Sequence, residues 1–335
     1  MDMDNQTPFS AEQFLLIDED GNNILTYVLK ATWHMRENDI SLADDQKSVI
    51  LVDEYYGETE NSSIRYESEI AFSKPGTDII LIGSAYGIHG MIPQVDVMLK
   101  VGNIKKKLRV SGKRYWDKAF GVWYISDPEP FDKFPIRYEH AFGGLVINED
   151  HQLIDFYDQN PVGTGYEAST NKAKRKYSLL PNIEDPGCLI SGPSDQPFPA
   201  GFGFIAPNWK TRKKYSGTFD DHWKKNRFPL LPHDFNRKFF NSAHPDLVSP
   251  QYLKGGELVE LLNLTPTGKC QFSLPDITPE VTIKIKNNQD QSNMNMDTLI
   301  INTDENLLFM IWRKSFSINN KINQIKGAKI NFLQK

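Results

Sequence analysis

Val95-Asp-Val-Met-Leu-Lys-Val101, then Gly102-Asn103, then Lys106 to Val110: this stretch decides the class of the fold. Successive side chains of an extended chain alternate, so Val95, Val97, Leu99 and Val101 share one face and Asp96 and Lys100 the other. Gly102-Asn103 is the turn, and the run after it returns as the partner strand. The same pattern extends outward. Phe14-Leu-Leu-Ile17, the polar Asp18-Glu-Asp-Gly-Asn-Asn23 and Ile24 to Trp33 read as strand, turn, strand. Asp78-Ile-Ile-Leu-Ile-Gly83 is a short apolar run bounded by Pro75-Gly76 and Gly83, the form of a strand buried on both faces. Val49 to Val52 reads as a further strand, and the first third as a β meander. Val281-Thr-Ile-Lys-Ile-Lys286 alternates, and Thr298 to Trp312, turning at Thr303-Asp-Glu-Asn306, predicts a hairpin. Helix signals are few. His222 to Arg227 follows the capping chemistry of Thr218-Phe-Asp-Asp221, and Asp234 to Asn241 sets Phe235 and Phe239 at i, i+4. The expectation is a mainly β protein: sandwich-like antiparallel sheets, long Pro-, Gly- and aromatic-rich loops, and a few short helices.

At 335 residues the chain is long enough for a large core, and 39% hydrophobic with 12% aromatic content is globular. A net charge of −5 gives no general attraction to nucleic acid or anionic lipid. The acidic start Met1-Asp-Met-Asp-Asn5 lacks the order of a signal peptide, and no apolar run approaches the roughly 20 residues of a membrane helix. Cys188 and Cys270 are two and far apart, which indicates neither a disulfide framework nor a thiolate metal site. The reading is a soluble, cytoplasmic protein. Candidate boundaries near 130 and 272 divide the chain into an N-terminal meander (10–130), a motif-rich loop and sheet region (131–271) and a C-terminal hairpin region (272–335). None of them looks like a flexible linker, so one extended unit (1–335) is expected.

The middle is organised around Phe134-Pro-Ile-Arg-Tyr-Glu-His-Ala-Phe-Gly-Gly144. Read as a strand, it puts Arg137 and Glu139 on one face and Tyr138 and His140 on the other; Gly143-Gly144 frees the backbone for a turn or a close approach. A same-face Arg and carboxylate can belong to an active site or form a buried ion pair. The structural reading is preferred: Arg137, Tyr138, Glu139, Phe142, Gly143 and Gly144 form a core, with Arg137 paired to Glu139 or another carboxylate and the Tyr138 hydroxyl donating inward. On that reading, loss of Arg137 strands a buried carboxylate, at about 3–5 kcal/mol.

Cofactor chemistry finds little purchase. Asn160-Pro-Val-Gly-Thr-Gly165 lacks the Lys-Ser/Thr of a phosphate loop, and no metalloprotease or nucleophile-elbow motif occurs. The histidines, His34, His89, His140, His151, His222, His233 and His244, read as loop residues satisfied by backbone before they read as ligands; three lie beside carboxylates at Asp220-Asp-His222, His233-Asp234 and His244-Pro-Asp246. Asn171 to Lys176 is a basic, exposed-looking stretch. From Leu179 to Pro207 Pro and Gly dominate, yet Phe198, Phe202, Phe204 and Trp209 argue for a loop laid on the core. Between Lys210 and Arg227 seven basic residues interleave with Tyr215, Phe219 and Trp223. That mixture suits an acidic protein segment or, as an alternative, single-stranded nucleic acid. The candidate partner surface is therefore Trp209, Arg212, Tyr215, Phe219, Trp223 and Arg227. A second alternative is a carboxylate-dependent hydrolase or carbohydrate-active enzyme using Glu139 with a distant Asp220 or Asp246.

Taken in order, the central motif, Asn160 to Gly165, Gly203-Phe-Ile-Ala-Pro-Asn-Trp209, Gly217-Thr-Phe-Asp220, Arg227-Phe-Pro-Leu-Leu-Pro232, Asp234-Phe235, Phe239-Phe-Asn241, Gly255-Gly-Glu257 and Asn263-Leu-Thr265 resemble the DUF2169 family. The resemblance is dense from about 115 to 275 and reaches the N-terminal part through Lys74-Pro-Gly-Thr-Asp78 and Gly112-Lys-Arg-Tyr-Trp116. Two departures stand out: Lys113 where members often carry an acid, and His140 where Arg is common. The resemblance implies a cytoplasmic, non-catalytic adaptor or chaperone. It would hold a type VI secretion effector, often one with a PAAR-type or Rhs-like region, and load it on the VgrG spike. It carries over no catalytic residue and implies no cofactor or membrane contact.

Overall fold

The computed structural model describes residues 2–36, 39–88, 90–148, 150, 152–167, 176–319 and 322–334. Its frame is a seven-stranded sheet that runs Val248–Ser249, Thr77–Ile82, Asn295–Asn302, Leu307–Ser317, Asn23–Arg36, Ser10–Ile17, with Asp39–Leu42 pairing Asn23–Arg36. Thr77–Ile82 and Asn295–Asn302 pair in parallel and the other neighbours antiparallel. All six residues of Thr77–Ile82 are buried; the apolar run 79–82 fits a strand covered on both faces, and the buried Asp78 is held by hydrogen bonds. Asp18 closes the first hairpin, its Oδ1 accepting from Asp20 N and Asn22 N. Asn302 and Asn306 bracket the turn of the second, Asn302 Oδ1 accepting from Glu305 N.

A five-stranded antiparallel sheet runs Ile183–Glu184, Ile104–Ser111, Gln94–Val101, Leu258–Leu262, Lys269–Ser273. In it Val97, Leu99 and Val101 are buried while Asp96 is paired outward with Arg109 at 2.8 Å, the alternation read from the sequence. A four-stranded sheet runs Met3–Asn5, Ile325–Gln334, Ile277–Ile285, Asn288–Asn293. One continuous apolar cluster joins all three sheets, from Leu99 and Leu261 through Ile80, Ile300 and Leu308 to Val281 and Ile330. The fold is mainly β, with mostly antiparallel sheets.

The first third does not run as a meander. Thr77–Ile82 pairs with strands from residues 248–249 and 295–302, and the 295–317 hairpin sits inside the large sheet, so stretches 10–130, 131–271 and 272–335 share sheets. Val49–Val52 does not form the expected strand; the Glu69 side chain takes the place of a ladder partner. Its Oε2 accepts from Ile50 N and its Oε1 receives Lys30 Nζ at 2.7 Å. Of the helices, α2 (Asp221–Asn226) starts where the capping residues indicate, Asp220 accepting from Trp223 N at 2.8 Å. A four-residue helix, α1 (Lys210–Lys213), has no side-chain cap and was not legible in the sequence. Asp234 to Asn241 contributes a 3-10 turn, Arg237–Phe240, in place of a longer helix. Among the described residues no helix is long and apolar enough to cross a membrane.

Candidate functional site

The central motif is a knot around Tyr138. Arg137 is extended, at φ −138° and ψ 155°, and Tyr138–His140 form one 3-10 turn, so the motif is not a strand at this point. The turn drives the Tyr138 ring inward, 2% exposed and edge-on to Trp209 at 5.3 Å. Gly201 packs flat on it; a Cβ there would lie 2.7 Å from the ring. Asn160, fully buried, donates from Nδ2 to Tyr138 O at 2.8 Å and Phe142 O at 3.1 Å. Phe142–Gly143 then pairs in parallel with Thr164–Gly165, and a Cβ on Gly143 would meet Asn160 O at 2.1 Å. Gly144 packs against Gly163 O in the same way. Three separate motifs thus close on one tyrosine. The Tyr138 hydroxyl was expected to donate inward; it is buried but has no hydrogen-bond partner among the described residues, and burial alone pushes its pKa up.

The expected Arg137–Glu139 pair does not form. The 3-10 turn swings Glu139 to Ser63, whose N and Oγ donate to its carboxylate at 2.7 and 2.8 Å. Arg137 is half-buried with its guanidinium 4.0 Å from the centre of the Tyr56 ring, and it forms no ion pair among the described residues. Burial pushes the Tyr56 hydroxyl up to about 12, against the opposing pull of Arg137.

The proposed partner surface also divides. Trp209 and Arg212 are only 3% and 4% exposed, so they are core and not contact residues. Arg212 donates from Nε to Phe239 O at 3.0 Å and from Nη1 to Ile205 O and to the Glu67 carboxylate, tying three segments together. Trp223 is half-buried and donates from Nε1 to Leu230 O at 2.8 Å; Arg227 is half-buried and donates from Nε to Leu231 O at 2.9 Å. Tyr215 is half-buried, and Phe219 is open to solvent against the Trp223 ring.

The titratable groups hold separate local positions. Asp220 caps α2, Asp246 accepts from Lys106 Nζ at 2.7 Å, and Glu139 is bound to Ser63. His140 is lowered by burial, with its ring against Phe134. His244 is buried and lowered to about 4, first by burial and then by Lys106. His34 lies in strand Asn23–Arg36, and His222 and His233 are exposed. His89, His151 and residues 171–175 of the basic stretch lie outside the described residues. Among the described residues no His, Cys, Asp or Glu group is arranged to hold a metal ion.

Two small hairpins carry exposed apolar residues; Trp116, Phe120, Trp123 and Tyr124 of the first stand out in the sequence as core or interface anchors, whereas the face of the second does not. Trp116–Ala119 pairs with Val122–Ile125, and Leu145–Ile147 with Leu153–Phe156. Both are rooted in a second apolar cluster, where Trp116, Trp123 and Ile125 meet Phe142, Tyr157 and Leu180. In the second hairpin Leu145 faces Phe156 and Ile147 faces Leu153 across the strands, and all four are between 43% and 56% exposed. At the tip of the first, Phe120 is fully exposed at φ 50°, a left-handed conformation that side chains rarely adopt, followed by Gly121 at φ 82°. In the sequence Leu145 and Ile147 are spaced for one face, but Leu153 and Phe156 lie three apart across a register shift, which hides the face they share.

The family model for DUF2169, described as an uncharacterized protein conserved in bacteria, matches residues 20–313. The chain belongs to the DUF2169 family. No curated protein and no solved structure matches it. In this DUF2169 chain the motifs that carry the resemblance are largely fastenings. Tyr138, Asn160, Gly201 and Trp209 make the knot. Asn241 and Ser242 close on Asp78, which accepts from Asn241 Nδ2 and Ser242 N at 3.0 Å each. Glu257 caps its own loop by accepting from Lys254 N and Gly255 N. The open hairpin faces lie within the DUF2169 span but outside these contacts.

Proposed function

We propose that this DUF2169 protein is a non-catalytic adaptor that holds a type VI secretion effector in the bacterial cytoplasm and helps load it on the VgrG/PAAR spike. The observation that carries the reading is the face formed by Leu145, Phe156, Ile147 and Leu153. An isolated two-stranded ribbon gains no stability from apolar side chains turned to solvent, whereas an interface needs apolar anchors within reach of a partner. Phe120, fully exposed on the neighbouring hairpin, adds an aromatic anchor of the kind that concentrates binding energy. The class of partner rests on the family resemblance, and the scaffold on the second apolar cluster that roots both hairpins. The test is affinity capture of the tagged chain from a bacterium with an active type VI system, with the captured proteins identified by mass spectrometry. An effector and spike components are expected, and Ile147→Asp with Phe156→Asp should lose them while keeping the circular dichroism of the parent. Capture without any secretion component, or undiminished capture by the folded double variant, refutes the proposal.

A further inference from the structure

A cavity of about 320 Å³ opens between α1 and the 3-10 turn Arg237–Phe240. Pro75, Pro245, Pro250, Val248 and the ring of Tyr215 give it apolar walls, and the exposed Lys214 and Lys238 border it. No residue lining it is acidic. Lys214 Nζ is held 4.9 Å from the centre of the Tyr215 ring, which fixes a cation beside the apolar wall. Arg212 at the base is already paired with Glu67, whereas neither Lys214 nor Lys238 forms an ion pair among the described residues. In a chain of net charge −5, this is a local basic rim around an apolar hole.

We propose that this cavity binds a short acidic peptide segment, seating one apolar side chain between the prolines and placing flanking carboxylates on Lys214 and Lys238. The volume is at the low end for ligand sites and suits a single side chain. The rim supplies the complementary charge that selects and steers an acidic partner. A nucleic-acid strand fits less well. It needs a run of cations along its backbone and several aromatic faces for stacking, and this cavity offers two lysines and one aromatic ring among aliphatic walls. The inference goes beyond the adaptor reading and stands without it, because the cavity and the exposed hairpin face share no residue.

The experiment is fluorescence anisotropy on the full chain with three probes: a labelled peptide holding one Leu among Asp and Glu, its Asn/Gln counterpart, and a thymidine oligonucleotide. The acidic peptide should bind at low salt and weaken as salt rises, with the neutral peptide and the oligonucleotide much weaker. Lys214→Glu with Lys238→Glu should weaken it by about tenfold or more. Lys224→Glu with Lys225→Glu on the exposed face of α2 should leave it unchanged. No binding of the acidic peptide, equal binding of its neutral counterpart, equal loss in the α2 variant, or tighter binding of the oligonucleotide would each overturn the assignment.

Discussion

Acid should weaken this fold through one histidine. His244 is 5% exposed, with Phe198 edge-on at 5.1 Å, and its Nδ1 accepts from Asp246 N at 3.2 Å. Burial lowers its pKa first, Lys106 lowers it further, and Asp246, Asp185 and the Pro199 carbonyl pull the other way; it settles at about 4. In the unfolded chain it returns to about 6.5. The folded value is the lower one, so below pH 6.5 the unfolded state takes up a proton that the folded state refuses until about pH 4. The contribution is therefore intact above pH 6.5 and lost as pH falls through that window. A gap of about 2.5 units at about 1.36 kcal/mol each gives a loss of about 3 kcal/mol by pH 4. Asp246 works in the same direction at lower pH. Burial raises it, but the Lys106 hydrogen bond and charge hold it below its usual value, so its stabilisation is also lost in acid. The assay is equilibrium denaturation between pH 7 and pH 4 for the parent and His244→Asn, whose side-chain oxygen can still accept the Asp246 N–H. The parent should lose about 3 kcal/mol more than the variant across the window. Parallel curves would show that His244 is not held neutral and would sink the reasoning.

Asp78→Ala should be the most damaging single change in the seam between the large sheet and the 239–243 loop. Fully buried Asp78 accepts from Lys74 Nζ at 2.8 Å, and its loss leaves that ammonium with Thr298 Oγ1 at 3.2 Å and the more distant Glu67, besides orphaning Ser242 N. Denaturant unfolding should register a loss of about 3–5 kcal/mol, partly restored by Lys74→Met; a loss under about 1 kcal/mol would refute the burial argument. Arg137→Ala should cost far less, about 0.5–2 kcal/mol, because only the stacking on Tyr56 is lost. A loss above about 3 kcal/mol in the same measurement would restore the idea of a stranded carboxylate.

What the sequence disclosed follows the range of the interactions concerned. Strands such as Gln94–Val101 and Leu307–Ser317 were legible because their side-chain alternation or apolar runs are local, and α2 because Asp220 announces its own cap. Gly143-Gly144 signalled a close approach, though not that the approaching backbone would be Asn160 to Gly163. The errors arise where a partner distant in sequence decides the outcome. Glu69 displaces a ladder partner from Val49–Val52, and Ser63 draws Glu139 away from Arg137. Trp209 and Arg212 look like interface anchors by residue type and are buried only because Tyr138, Phe239 and Glu67 arrive from elsewhere in the chain. The hairpin face was missed because exposure of Leu145 or Phe156 is a property of what fails to cover them, which no local pattern records.

The same contrast bears on where a partner can act. Tyr138, Asn160 and Gly201 are buried, and a Cβ on Gly201 or Gly143 has no room. Such residues cannot touch a partner themselves, so their role is to fix where other residues stand. Phe142 shows the link: it is paired through its backbone into the knot and through its ring, 5.0 Å from Tyr157, into the cluster from which both hairpins project. The knot, through Phe142 and the second cluster, therefore holds both ribbons at set positions, and a partner that docks on Leu145, Ile147, Leu153 and Phe156 meets a surface already placed. Ordering a surface before contact removes part of the entropy cost of binding. By that argument, substitutions in the knot that leave the chain folded should weaken partner capture through the hairpins even though no knot residue touches the partner.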